Sequence, residues 1–90
     1  MDASFEWDED KNQENKDKHG VSFEDAQKVF ADPDLLILAD EKHSTGEDRF
    51  YAIGTTQAGI MTVRFTRRGG KIRIFGAGLW TKYRKRYLNR

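Results

Sequence analysis

The sequence predicts an α+β domain in which two amino-terminal helices pack on an antiparallel sheet of three to five strands, closed by a third helix. Three observations carry this. Apolar residues recur at helical spacing up to Asp32-Pro33 and at a period of two beyond it. Two alternating runs, residues 60–67 and 71–75, flank Arg68-Gly69-Gly70, the signature of a tight β-hairpin. The carboxy-terminal stretch repeats Trp80, Tyr83 and Tyr87 at i, i+3 and i+7, one stripe of a helix.

In order along the chain, Phe5-Glu6-Trp7-Asp8 alternates apolar and acidic, as a short edge strand does. Asp8 suits a helix N-cap, residues 9–19 are polar almost all round, and Gly20 fits the residue just past that helix. Ser22 caps a second helix, with Asp25 in the place of a capping-box acid and Val21 and Ala26 as a hydrophobic staple. Phe23, Ala26, Val29 and Phe30 supply its buried stripe, and Pro33 ends it because the residue before proline avoids helical dihedrals. Leu35–Ala39 then reads as a strand, residues 40–48 as a polar loop, and residues 49–54 as a second strand. After a turn at 55–59, Met61, Val63 and Phe65 share one face of a third strand, and Thr62, Arg64 and Thr66 share the other. Ile72 and Ile74 alternate against Lys71, Arg73 and Phe75. Gly76-Ala77-Gly78 is expected to break that strand, and the last helix to run from Leu79 to about Leu88. With no repeat or linker, residues 1–90 form one domain.

The charge distribution is more telling than the net charge of +1. All fifteen carboxylates lie in residues 1–48 beside five lysines, giving 5 − 15 = −10, whereas residues 49–90 hold eleven cations and no acid. Such a half requires anions from the acidic half, from a phosphate backbone or from an acidic partner. Absence of cysteine excludes disulfides and thiolate chemistry. The amino terminus lacks the basic and apolar regions of a leader, and the longest apolar run, Leu35-Leu36-Ile37-Leu38-Ala39, is too short for a membrane span. A cytoplasmic protein without membrane contact is expected.

Arginines Arg64 and Arg73, with Lys71, Thr62 and Thr66, make one sheet face cationic and rich in donors, which suits phosphate because guanidinium grips it in bidentate fashion. Phe75 on the same face offers a stacking surface for a base. The five cations of the last helix repel one another locally, which favours an external anion over mere solvation. His19, at a helix end, is read either as a capping side chain or as a proton carrier, and His43 as a solvated loop residue. The histidines make no zinc pattern and the acidic loop lacks EF-hand spacing, so neither metal nor cofactor is expected.

Three stretches together resemble a known family. Phe5-Glu6-Trp7-Asp8-Glu9, Lys11-Asn12, Asn15, Lys18-His19-Gly20-Val21-Ser22-Phe23-Glu24-Asp25-Ala26 and Val29-Phe30-Ala31-Asp32-Pro33 are similar to the amino-terminal signature of BrnT-type toxins. Glu47, Arg49-Phe50, Ile53-Gly54, Val63, Thr66-Arg67 and Ile72-Arg73-Ile74 continue the pattern, so that the resemblance covers about residues 5–87. It implies a RelE-like ribonuclease that inhibits translation by cutting RNA. It also implies neutralisation by a BrnA-type antitoxin, assembly with it as a heterotetramer, and contact with operator DNA only through that partner. Relatives follow the Ile-Arg-Ile strand with Ser-Ala-Arg, where this chain has Gly76 and Gly78 in place of the serine and the arginine.

A metal-free ribonuclease requires cations at the phosphate, a base and an acid. Arg64 and Arg73 are the phosphate candidates, with Arg67 in support. His19, Lys18 or Tyr83 are the proton carriers, and Glu6 is an alternative base reaching across from the acidic half. Lys71, Phe75, Lys82, Arg84, Lys85 and Arg86 are the expected RNA-binding residues. The competing expectation, prompted by Gly76 and Gly78, is a degenerate toxin that binds antitoxin or RNA without cutting. A third is a structural role, in which the acidic half merely neutralises the basic one.

Overall fold

The first helix, α1 (Glu9–His19), contains not one apolar residue. Its ends are satisfied locally: Asp8 accepts from the Asp10 N–H at 2.9 Å, and Gly20, at φ 68°, donates to the Lys16 carbonyl at 2.9 Å. Two buried asparagines dock it. Asn12 donates to Glu9 and Glu24 and accepts from the Phe23 N–H at 2.8 Å. Asn15 donates to the carbonyls of Val21 and Ala77 and accepts from the Ala77 N–H at 3.2 Å. The computed structural model describes residues 4–90, so residues 1–3 of the stretch read for a leader lie outside the described residues.

Ser22 caps α2 (Phe23–Ala26), its hydroxyl accepting from the Asp25 N–H at 3.0 Å. The expected longer α-helix tightens after one turn into a 3₁₀ segment, Gln27–Ala31. Phe23, Ala26 and Val29 are all fully buried, and their spacing of three residues matches the three-residue turn of a 3₁₀ helix.

A five-stranded sheet follows, formed by β1 (Phe5–Glu6), β2 (Leu36–Ala39), β3 (Arg49–Thr56), β4 (Gly59–Arg68) and β5 (Lys71–Gly78), in the order β1-β5-β4-β3-β2. Four strands are antiparallel, but β1 pairs with β5 in parallel, so the sheet is mixed rather than antiparallel throughout. Residues 7–70 separate these two strands, the long connection that a parallel pair requires. The β4–β5 turn uses Gly69 and Gly70, both at positive φ, the backbone a two-residue hairpin favours.

Gly76-Ala77-Gly78 does not break β5. A register shift opposite Arg64 and Phe65 leaves Phe75 as an extra residue, and the strand then continues to Gly78. Small residues serve close approach here: Ala77 is fully buried beneath Asn15, and a Cβ on Gly78 would stand 2.5 Å from the Trp80 indole.

One face of the sheet carries the core, in which Phe23, Ala26 and Val29 pack with Ala52, Met61, Val63, Phe65, Ile74 and Ala77. The other face bears α3 (Thr81–Leu88), which begins after Trp80 rather than at Leu79. Tyr83 stacks on Tyr51 at 4.6 Å, and Tyr87 donates to Asp32 at 2.6 Å. The aromatic stripe of α3 thus faces the sheet as its spacing predicts. The sheet face expected to be open is therefore partly closed: Thr62 and Thr66 are 1% and 2% exposed and offer no donors to a ligand.

Candidate active site

Where the end of α1 crosses the edge of β5 it meets the start of α3, and a cavity of about 260 Å³ lies between them. Lys11, Glu14 and Lys18 reach it from one side of α1, at i, i+3 and i+7. His19 follows at the helix end, its ring edge-on to Trp80 at 5.3 Å. Arg64 of β4 and Phe75 of β5 form the opposite wall, with Gly76 between them in register. An added Cβ at Gly76 would lie 3.4 Å from Arg64 Cδ, so glycine leaves the arginine stem room. The Arg64 guanidinium sits 5.2 Å from the Phe75 centroid, and its Nε is buried without a hydrogen-bond partner among the described residues.

Of the residues singled out from sequence, Arg64, His19, Lys18 and Phe75 meet in this cavity. Arg73 lies outside it, paired with Glu6 at 3.3 Å through the β1–β5 register. That pairing also holds Glu6 away from the cavity, and the carboxylate found there is Glu14. Arg67 projects to the other face of the sheet, beside Phe30, Phe50 and Ile72, because side chains alternate along β4. Lys71 is exposed next to the hairpin turn. Lys82 and Arg86 border a different recess, with Asp40, His43 and Tyr51, and Arg84 and Lys85 point to solvent. Glu14 and the cavity-facing role of Trp80 have no counterpart in the sequence analysis, and Lys11 belongs to the family signature without a site role assigned to it. The available signal was charge at i, i+3 and i+7 on a helix with no apolar stripe to claim that face.

Neighbouring groups fix the protonation around α3. Burial, and then the adjacent Tyr83, push the Tyr51 phenol well above its ordinary range, so it stays neutral and is no base. Burial raises Asp40, but the hydrogen bonds and charge of His43 outweigh it and leave the carboxyl below its ordinary value. Three ion pairs join the two halves of the chain: Arg73 with Glu6, and Arg49 and Arg68 with Glu47. Among the described residues the other eight cations of the basic half (11 − 3) have no carboxylate within 4 Å. Internal neutralisation is thus partial.

Residues 7–83 match the family described as the ribonuclease toxin, BrnT, of type II toxin–antitoxin systems. The chain belongs to the BrnT family. No curated protein matches it. The matched span runs from Trp7 to Tyr83 and includes every residue that lines the cavity. BrnT membership makes the chain a toxin of the type II class, with an antitoxin as its partner. No helix among the described residues is long and apolar enough to cross a membrane.

Proposed function

We propose that this chain is a metal-independent endoribonuclease, a single RelE-like domain over residues 1–90 that acts in the cytoplasm and inhibits translation. The observation that carries this reading is the convergence of Lys11, Lys18, His19 and Arg64 on one cavity that also holds a carboxylate, Glu14. Three cations suit a phosphodiester whose charge rises in the transition state, when fixed donors matter most. Glu14 and His19 supply the proton transfers. The 2′-hydroxyl of RNA loses its proton to Glu14 and attacks the adjacent phosphorus. The bond from phosphorus to the 5′-oxygen breaks, and His19 protonates that oxygen. The products are a 2′,3′-cyclic phosphate and a 5′-hydroxyl. Trp80, set against His19, orients the imidazole.

Neutralisation by a BrnA-type antitoxin, in a heterotetramer that reaches operator DNA through the antitoxin, is part of the same reading. The cations without carboxylates, among them Lys82, Arg84, Lys85 and Arg86 of α3, suit an acidic antitoxin segment. A second reading, a non-cutting module that binds antitoxin or RNA, is favoured by Gly78, which leaves the family's arginine position without a cation.

Incubating the purified chain with a labelled RNA and a chelator, then identifying the new ends, tests the proposal. Cyclic phosphate ends that vanish in Glu14→Gln and His19→Gln support it. Intact RNA that is nevertheless bound by the wild-type chain decides for the binding module.

A further inference from the structure

Arg49, two strands away from the bulge, converges on the ring of Phe75 as Arg64 does. Its guanidinium lies 4.6 Å from the ring centroid, against 5.2 Å for Arg64. Arg49 stands opposite Thr66 across β3 and β4, and Thr66 stands opposite Arg73 across β4 and β5, so all are on one face. Both Nε atoms, of Arg49 and of Arg64, are buried and donate to no acceptor among the described residues. A buried donor left without an acceptor is costly, so neither guanidinium is fully satisfied within the described residues, and the Arg49 side chain is 35% exposed, open to an anion from solvent.

The nearest carboxylate does not fill that place. Glu47 Oε1 accepts from Arg68 at 3.1 and 3.2 Å, while its other oxygen stands 3.5 Å from Arg49 Nε without a hydrogen bond. One carboxylate is thus shared between two guanidiniums, which leaves a positive charge uncompensated beside Phe75.

We propose that Arg49 holds a second RNA phosphate, next to the one bound at Arg64, so that a single strand crosses the sheet face over Phe75 with a phosphate at each arginine. This rests on the ribonuclease reading above, and it turns the cavity from a one-phosphate site into a groove with a flanking subsite. Phe75 acts as the spacer that fixes the two guanidiniums, its ring occupied by them rather than free to stack a base. Glu47 orients Arg49 and competes with the phosphate for it.

The test uses 2′-O-methyl oligoribonucleotides, which lack the attacking hydroxyl and so report binding alone. A dinucleotide carries one phosphodiester and a hexanucleotide carries several. Arg49→Gln is expected to weaken hexanucleotide binding about tenfold. It should lower the slope of log affinity against log salt by roughly 0.7, the loss of one single-strand phosphate contact. Dinucleotide binding should stay unchanged. Arg64→Gln should weaken both ligands, and Lys28→Gln, an equal change of net charge in the 3₁₀ segment Gln27–Ala31, should weaken neither. Glu47→Gln gives the opposite sign: it frees Arg49 and should tighten the hexanucleotide, which keeps the test open if Arg49→Gln folds poorly. Wild-type affinity for the hexanucleotide in both Arg49→Gln and Glu47→Gln overturns the subsite while sparing the ribonuclease reading, and leaves a protein carboxylate as the anion for Arg49. Equal losses on both oligonucleotides also overturn it. A wild-type chain that binds neither oligonucleotide overturns the subsite and the RNA reading together.

Discussion

The side-chain amide of Asn15 bonds to both backbone polar groups of Ala77, and so takes the place of a neighbouring strand. β1 covers only Ile72 and Arg73 of β5, and Asn15 continues the pairing farther along the same strand edge. With Asn12, this side chain fixes where Lys11, Glu14, Lys18 and His19 stand relative to Arg64.

Asn15→Ala should therefore cost about 3 kcal/mol, because it strands buried carbonyl and N–H groups at Val21 and Ala77 as well as losing the bonds themselves. Urea denaturation checks the figure. A change below about 0.5 kcal/mol, the range of ordinary surface substitutions, would show that α1 is held by other means.

Stability should fall on acidification through a defined window. The hydroxyl of Tyr87, then the backbone N–H groups of Thr55 and Asp34, hold Asp32 down to about 2 from its ordinary 3.8. A carboxyl whose value is depressed on folding contributes stability that is complete above its unfolded value and is lost as pH falls through the folded one. That loss should run from about pH 4 to about pH 2. Tyr87→Phe removes the largest cause, so its melting temperature should be lower at neutral pH and fall less steeply across that window. Parallel acid limbs for the two proteins would refute the assignment.

Placing at position 78 the arginine that the resemblance implies should fail. A Cβ on Gly78 would stand 2.5 Å from the Trp80 ring, and Trp80 in turn packs edge-on against His19. Gly78→Arg is expected to lower stability by about 1–3 kcal/mol, as overpacking does, and to leave RNA cleavage no stronger. Gly76→Ser, with its Cβ at ordinary contact distance from Arg64, should fold normally. Thermal melts with a cleavage assay on each variant decide this.

The two faces of β4 predict unequal arginines. Arg64→Ala should reduce cleavage about a hundredfold, as removal of a single transition-state donor does. His19→Gln should cost at least about as much, through the lost proton transfer. Arg67→Ala, on the opposite face, should change the rate by no more than about twofold. Single-turnover rates on one RNA give the comparison, and equal losses at Arg64 and Arg67 would rule out the cavity as the reaction centre.

The sequence by itself determined the local elements. Asp8, Ser22 and Gly20 set helix ends through groups within a few residues, the change of period at Pro33 separated helices from strands, and Gly69-Gly70 made the hairpin. Charge order along the chain likewise showed that the basic half must find its anions outside itself, and the ion pairs of the folded chain showed that its own acidic half supplies only part of them. Only the tertiary structure decided which of those residues meet. The parallel pairing of Phe5-Glu6 with Ile72-Arg73 has no local signal, and it removed Arg73 and Glu6 from the site by joining them to each other. The bulge at Phe75 shifted the register by one residue, which period-two reasoning cannot anticipate. Helix α1 carries no apolar stripe from which to orient it, so its docked face was set by Asn12 and Asn15, whose hydrogen bonds to distant backbone exist only once the sheet is formed. Periodicity reports where apolar surface must be buried, and it is silent on polar side chains whose partners lie far along the chain.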